Sequence, residues 1–214
     1  MVVIPPLRRV RWPTATRIIP ARYPPVVLYE RLSPDPAVWD ALLAAEELVN
    51  PRERGPVMAA FTHLTPGGSR FSDGTYGVYY AASSLKTAVV ETAFHFSRIA
   101  ADAADGPRYE SMRVVVSPVD ATFHDLGGLP PLDRTSLLDP GSYIRSQAFA
   151  RPMHDAGSHG IYYPSVRRAG GPCLAVFVPR VVGATTVTRR LQYHWDGTAV
   201  RRYFDYTADL WVDL

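Results

Sequence analysis

The chain has 214 residues, of which 47% are hydrophobic and 20% are charged, and its formal net charge is +3 at pH 7. This length and composition indicate a soluble globular protein with a substantial core, in one large domain rather than two small ones. The single cysteine, Cys173, excludes an internal disulfide and a CxxC zinc site. No apolar segment approaches the roughly 20 residues that a membrane-spanning helix needs.

Arginine carries almost all of the positive charge, since Lys86 is the only lysine among 23 basic residues. A GC-rich genome produces this bias without any functional reason. Guanidinium groups also suit phosphate and carboxylate ligands, so the charge by itself does not decide between these two explanations.

The sequence favours a cytoplasmic protein. Residues 1–14, MVVIPPLRRVRWPT, contain no apolar stretch of signal-peptide length. Cys173 stands in the apolar run CLAVFV, which is typical of a buried, unreactive cysteine in a reducing compartment.

Prolines and arginines dominate residues 1–25, which are predicted to form an extended N-terminal segment because proline disfavours helix both at its own position and in the residue before it. Residues 26–214 are predicted to form the domain. It begins with a strand in VVLYERL (26–32) and a helix in PAVWDALLAAEELV (36–49), for which Asp35 is the predicted N-cap.

A Gly-rich loop, a strand and a helix are predicted next. TPGGS and SDG are turn sequences on either side of Arg70, and GVYYAAS (77–83) predicts a strand. The following helix, in SLKTAVVETAFHFSRIAAD, begins at Ser83 or Ser84 and carries Glu91 and His95 on one face, four residues apart.

The second half alternates strands, loops and one further helix. SMRVVVSPV (111–119) predicts a strand, DLGGLPPLD (125–133) a loop, and residues 144–157 a helix with Pro152 at a kink or in its first turn. GIYYP and CLAVFVP predict two more strands, and the C-terminal sequence predicts two or more closing strands. This mixture predicts a single α+β domain.

Three residues with site chemistry follow one another at similar intervals: Arg70, Tyr80 ten residues later and Glu91 eleven residues after that. A loop arginine is often simply solvated, but between glycines and an aromatic residue it can also bind pyrophosphate or carboxylate. Tyr79 is predicted to pack in the core, whereas Tyr80 either packs there or faces a cleft, because neighbouring strand residues point to opposite faces. Glu91 interrupts an apolar helix, so its carboxylate either reaches solvent or lines a cleft.

Two further positions are ambiguous by themselves. Arg31 ends the first predicted strand of the domain, and Ser165 follows a proline in YYPSVR, so each also suits an ordinary turn. No GxSxG motif surrounds Ser165, which argues against a hydrolase nucleophile. The six histidines lack metal-ligand spacing, and neither GxGxxG nor GxxxxGK occurs, so no metal site, Rossmann fold or P-loop is predicted.

These stretches together resemble the RES domain, the toxin half of Xre–RES toxin–antitoxin pairs. The resemblance covers about residues 26–180 and rests on YERL, GGSRF, VYYAASSLKTAVVET, SQAFARPMHDAGSHGIYYPSVRR and CLAVFVP. Tyr80 and Glu91 at this spacing, combined with YPSVR, make it specific. The GGRWN-like family signature is altered here, with Phe71 in place of tryptophan and Ser72 in place of asparagine.

The resemblance implies a fold related to ADP-ribosyltransferases, with a split, twisted mixed sheet flanked by helices around an NAD cleft. The Arg, Glu and Ser of the family name fall on Arg70 (or Arg31), Glu91 and Ser165. Glu91 would stabilise the oxocarbenium-like state, and Arg31 or Arg70 would hold the pyrophosphate. Tyr80 would flank the nicotinamide. Ser165 would bond nicotinamide or ribose, or position the attacking water or phosphate.

The resemblance also implies an enzyme that uses NAD as its substrate and needs no metal. The nicotinamide–ribose bond would be cleaved by hydrolysis or phosphorolysis, or ADP-ribose would be transferred to a protein. The implied partners are an Xre-type helix-turn-helix antitoxin, water or phosphate as co-substrate, and a second copy of the chain, but no membrane and no nucleic acid. The alternative from a different class is a non-catalytic module that binds nucleic acid or a partner through its basic tail (Arg189, Arg190, Arg201, Arg202).

Overall fold

The computed structural model describes residues 4–21 and 55–214. Within these ranges it contains eight β-strands, four α-helices and short 3₁₀ turns at Leu126–Gly128 and Pro179–Val181. The elements in chain order are β1 (Leu7–Pro20), α1 (Gly55–Thr62), β2 (Tyr79–Ala82), α2 (Leu85–Asp102), β3 (Arg108–Asp125), α3 (Pro131–Leu137), α4 (Ile144–Asp155), β4 (Gly160–Pro164), β5 (Pro172–Val176), β6 (Thr186–Trp195), β7 (Val200–Asp205) and β8 (Leu210–Asp213). The strand predicted at 26–32 and the helix predicted at 36–49 lie outside the described residues.

One mixed sheet organises the domain, with the strand order β1-β2-β5-β4-β3-β6-β7-β8. Because β1 also pairs with β3, the first five strands in this order form a closed ring, from which β6, β7 and β8 extend. The β3–β4 pair is parallel, and the other pairs are antiparallel. A mixed sheet with helices packed on it confirms the predicted single α+β domain. None of the helices in the described part of the chain is long and apolar enough to cross a membrane.

Most of the proline-rich N-terminal segment is a strand of this sheet. β1 runs antiparallel to β3 along nearly its whole length. The pairing shifts register between Trp12 and Ala15, on either side of Pro13. Proline has no N–H to contribute to the ladder, so an irregularity at this point is the expected way for a strand to contain one.

Each face of the sheet packs in its own apolar cluster, and alternate residues of β2 contribute to the two clusters. Tyr79 and Ala81 pack in the cluster that contains Val57 of α1, whereas Tyr80 and Ala82 pack on the side of α2 and α4. Tyr79 is fully buried and Tyr80 is half-buried, so the two tyrosines face opposite sides as the strand periodicity predicts.

α2 begins as the sequence predicts and places its polar residues on one side. Ser84 is the N-cap, and its side chain accepts a hydrogen bond from the backbone N–H of Thr87 over 3.3 Å. Val89 and Phe96 are buried against the sheet, and burial of an apolar side chain of this size contributes about 1.5–3 kcal/mol. Glu91 lies on a different face of the helix from these two residues, where it meets the loop after β4.

Two local predictions need correction. Residues 125–133 are not a plain loop, because the chain forms a 3₁₀ turn and then begins α3 at Pro131. Proline suits the first position of a helix, where its missing N–H would have no partner in any case. In α4, Pro152 lies in the last turn, so the alternative that placed it in the first turn is wrong, and the helix ends at Asp155.

Candidate active site

The carboxylate of Glu91 receives two hydrogen bonds from the turn that follows β4. Ser165 Oγ donates to Glu91 Oε1 over 2.5 Å, and the backbone N–H of Val166 donates to the same oxygen over 3.1 Å. Glu91 is half-buried. Both bonds end on Oε1, and no hydrogen bond from residues 4–21 or 55–214 ends on Oε2.

The direction of the Ser165–Glu91 bond follows from the other bonds of the serine. Ser165 Oγ accepts from the backbone N–H groups of Arg167 (3.1 Å) and Arg168 (2.9 Å). Because these two donors occupy its lone pairs, its own proton is directed at the carboxylate. The Ser165 backbone N–H donates to the carbonyl of Gly171 over 2.7 Å, which closes the loop. Ser165 therefore both organises the turn and orients the carboxylate.

The same loop lies along one face of α2. Thr87 and Phe94 stand one turn before and one turn after Glu91 on that face. Arg168 Nη1 donates to Thr87 Oγ1 over 3.1 Å, and the Arg167 guanidinium carbon lies 3.4 Å from the Phe94 ring centroid. The loop is therefore held over Glu91 by contacts at Thr87, Glu91 and Phe94, which lie on three successive turns of α2.

Arg70 connects the Gly-rich loop to the segment between α3 and α4. Its side chain is buried, since the residue is only 8% exposed. Its Nη1 donates to the backbone carbonyls of Asp139 (2.9 Å) and Leu137 (3.4 Å), and its guanidinium carbon lies 4.6 Å from the Tyr143 ring centroid. Contacts with residues 137–143, which no sequence pattern indicated, therefore hold the Arg70 guanidinium group in place.

Tyr80 supports the Gly-rich loop from the sheet. Its hydroxyl is 2.8 Å from Ser69 Oγ and accepts from the backbone N–H of Phe71 over 3.0 Å. Burial raises the pKa of Tyr80 to about 12, so the phenol remains protonated at neutral pH. Its ring packs on the α2 side of the sheet, the side on which Glu91 lies.

Gln147 holds the same loop from α4 and is a residue that sequence reasoning missed. Its Nε2 donates to the backbone carbonyls of Ser69 (3.0 Å) and Ser72 (3.1 Å), with a longer contact to Gly67 (3.4 Å). The only sequence signal was its position within the SQAF stretch. Arg98, Tyr143 and Arg167 were also not singled out, because nothing in the sequence joins them to Glu91.

Comparison with known proteins establishes the family. The model of the RES domain family matches residues 45–196. The chain belongs to the RES domain family. Protein y4oC of Sinorhizobium fredii (strain NBRC 101917 / NGR234) is 27% identical to it over 202 residues, which cover 86% of this chain and 84% of that protein. A chain in the crystal structure of the M. tuberculosis MbcT–MbcA toxin–antitoxin complex is 14% identical with a TM-score of 0.45, covering 84% of this chain and 86% of that chain.

The range matched by the RES family contains four of the five residues singled out from the sequence. Arg70, Tyr80, Glu91 and Ser165 lie within residues 45–196, and the fold brings them to the same side of the sheet around α2. Arg31 precedes the matched range and lies outside the described residues.

The arginines of the basic tail lie on β6 and β7. Arg189 forms a salt bridge of 2.7 Å with Asp205, and Arg201 forms one of 3.0 Å with Asp196. Arg202 lies 4.7 Å from the ring centroid of Trp211. Among residues 4–21 and 55–214, no group of three or more His, Cys, Asp and Glu side chains is placed to hold a metal ion.

His95 lies one turn after Glu91 in a positively charged environment. Burial is the main reason that its pKa is lowered. The Glu91 carboxylate acts in the opposite direction, and the guanidinium groups of Arg98, Arg167 and Arg70 add to the lowering. His95 is consequently neutral at pH 7.

We expect His95 to make the folded protein less stable in mild acid. Because its folded pKa lies below the unfolded value of 6.5, the unfolded chain binds more protons in the interval between the two values. Its contribution to stability is therefore complete above the unfolded pKa and declines as the pH falls toward the folded pKa. Urea unfolding at a series of pH values gives the free energy of unfolding as a function of pH. His95→Gln should lose the part of this pH dependence that comes from His95. A pH dependence of the free energy of unfolding that is the same in His95→Gln and in the wild type would contradict the assignment.

Proposed function

We propose that this RES domain is an enzyme that degrades NAD by cleaving the bond between nicotinamide and ribose. The observation that carries the proposal is the half-buried Glu91 carboxylate, which Ser165 and Val166 orient through Oε1. Bond cleavage develops positive charge on the ribose, and a fixed carboxylate stabilises that charge in the transition state.

The chemistry assigns one step to Glu91. The bond between the ribose C1′ and the nicotinamide nitrogen breaks, and nicotinamide leaves with the bonding electron pair. An oxygen of the acceptor forms the new bond to C1′, and the acceptor loses one proton. Glu91 Oε2 faces the developing charge or bonds a ribose hydroxyl, while Oε1 remains held by the Ser165 turn. Water and phosphate are both candidate acceptors.

The other predicted site residues have supporting roles in this proposal. Ser165 keeps the carboxylate oriented, and to bond nicotinamide or ribose it would exchange one of its bonds to Glu91, Arg167 or Arg168 for a bond to the ligand. Tyr80 offers one side of its ring to the nicotinamide while its hydroxyl holds the Gly-rich loop. Arg70 supplies positive charge beside the pocket, and Arg31 is the second arginine proposed for the pyrophosphate.

The biological setting proposed for this enzyme is that of a toxin in a toxin–antitoxin pair. RES family membership supports this setting. We propose an Xre-type helix-turn-helix antitoxin as the neutralising partner, the cytoplasm as the compartment, and residues 26–214 together with strand β1 of the N-terminal segment as the catalytic domain. A homodimer is part of the same proposal.

Nicotinamide release from NAD tests the function directly. Purified protein should release nicotinamide from NAD. Reactions with and without phosphate separate the two acceptors, because phosphorolysis gives ADP-ribose 1″-phosphate and hydrolysis gives ADP-ribose. NAD labelled on its adenine moiety distinguishes the second candidate, a protein ADP-ribosyltransferase, because the same pocket would then leave the label on protein. No release under any condition would refute NAD cleavage, and salt-sensitive DNA binding without NAD cleavage would favour the non-catalytic alternative.

A further inference from the structure

Arg98 lies on the same helix as Glu91, and no hydrogen bond or salt bridge within residues 4–21 and 55–214 holds its guanidinium group. Glu91, His95 and Arg98 lie at positions i, i+4 and i+7 of α2, which places them on one face of the helix. The Arg98 side chain is exposed, and its guanidinium carbon lies 5.4 Å from the Tyr143 ring centroid. Its charge also contributes to the lowered pKa of His95, which places it within electrostatic reach of the site.

The two neighbouring arginines are already engaged by backbone groups. Arg70 is buried and donates to the carbonyls of Leu137 and Asp139. Arg167 Nη2 donates to the carbonyl of Pro140 over 3.2 Å while its guanidinium lies on Phe94. The guanidinium groups of Arg70 and Arg167 therefore donate to backbone carbonyls of the segment between α3 and α4. No hydrogen bond joins Arg98 to any of the described residues.

The charge of this cluster is unbalanced. The charges that act on His95 are the guanidinium groups of Arg70, Arg98 and Arg167 and one carboxylate, that of Glu91, so their formal sum is +2. None of the three arginines forms a salt bridge with a carboxylate of residues 4–21 or 55–214. An uncompensated, partly buried positive cluster attracts an anion, and a planar guanidinium fork matches the oxygens of a phosphoryl group.

We propose that Arg98 binds a phosphoryl group of the substrate at the open side of the Glu91 site. This inference rests on the proposed NAD cleavage and names a recognition residue for it. The Tyr143 ring, whose centroid lies 4.6 Å from the guanidinium carbon of Arg70 and 5.4 Å from that of Arg98, orients the Arg98 side chain. The phosphoryl group belongs either to the pyrophosphate of the dinucleotide or to free phosphate that acts as acceptor.

Calorimetric titration of ADP-ribose and, separately, of inorganic phosphate distinguishes these two sources. Arg98→Gln should weaken the binding of one of them by about 10- to 100-fold, the range expected when a charge-assisted hydrogen bond is lost. Loss of ADP-ribose affinity assigns Arg98 to the pyrophosphate, and loss of phosphate affinity alone assigns it to the co-substrate. The matched control is Arg180→Gln, at an exposed arginine in the 3₁₀ turn Pro179–Val181, which should bind both ligands like the wild type.

Equal affinities of Arg98→Gln and the wild type for both ligands would overturn the inference, and so would a wild-type protein that binds neither. Nicotinamide release is measured on the same samples. A wild type that binds ADP-ribose through Arg98 but releases no nicotinamide would refute the proposed catalysis while supporting the subsite, so the two failures are distinguishable. Because Arg98 is exposed, its replacement should leave the thermal unfolding temperature unchanged, which checks that the variant is folded.

Discussion

Glu91→Gln should lower kcat for nicotinamide release by about 10³-fold and change ADP-ribose affinity little. Glutamine has the same shape, and its carbonyl oxygen accepts the bonds from Ser165 and Val166 as the carboxylate oxygen does. The variant therefore removes the negative charge and keeps the local geometry. A charge that acts mainly in the transition state affects turnover much more than ground-state binding.

The control for this experiment removes another carboxylate from the same helix. Asp102 is exposed in the last turn of α2. The variant Asp102→Asn should keep wild-type turnover. Urea unfolding should give both variants a free energy of unfolding close to that of the wild type. If Glu91→Gln released nicotinamide at the wild-type rate, the role assigned to this residue would be wrong.

Arg70→Ala should lower the free energy of unfolding by about 3 kcal/mol, because a buried donor for two backbone carbonyls and a contact with an aromatic ring are lost together. The carbonyls of Leu137 and Asp139 would lose the Arg70 hydrogen bonds, and Tyr143 would lose the cation on its face. The segment between α3 and α4 would then lose its attachment to the Gly-rich loop, so nicotinamide release should fall as well. Urea unfolding measures the first effect and the NAD assay the second.

Two further variants separate the causes of an Arg70 effect. Arg70→Lys keeps the charge but not the planar fork, and its stability should lie between those of Arg70→Ala and the wild type. Arg145→Ala removes an exposed arginine from α4 and should change stability by no more than about 0.5 kcal/mol. An Arg70→Ala protein as stable as Arg145→Ala would show that the carbonyl contacts contribute nothing.

The sequence predicted those parts of the fold in which local signals agree. Ser84 is a good N-cap before an amphipathic segment, and α2 begins there. Alternation in GVYYAAS correctly separated buried Tyr79 from Tyr80. Turn-like sequences were less informative, since the helix that begins at Pro131 has only seven residues and follows two glycines and a proline.

The candidate site could be predicted only as a set of separate residues. Glu91 and Ser165 are 74 positions apart, and the hydrogen bond between them depends on β4 and β5 bringing their connecting loop across α2. Arg70 appeared in the sequence as a loop arginine free to bind a ligand. In the fold, the backbone carbonyls of Leu137 and Asp139 already accept hydrogen bonds from its Nη1. Sequence patterns could not predict these bonds, because every residue has a backbone carbonyl whatever its side chain.

The sequence by itself determined the family, the α+β class and the identity of Glu91 and Ser165 as candidates, because side-chain chemistry and short-range periodicity are written along the chain. Tertiary structure alone decided which guanidinium groups are engaged and which one is exposed. Arg70, Arg98 and Arg167 have the same side chain, and their differences in burial and hydrogen bonding arise from long-range packing of α2, the α3–α4 connection and the Ser165 turn. That packing depends on contacts between residues far apart in the chain, which local sequence patterns do not encode.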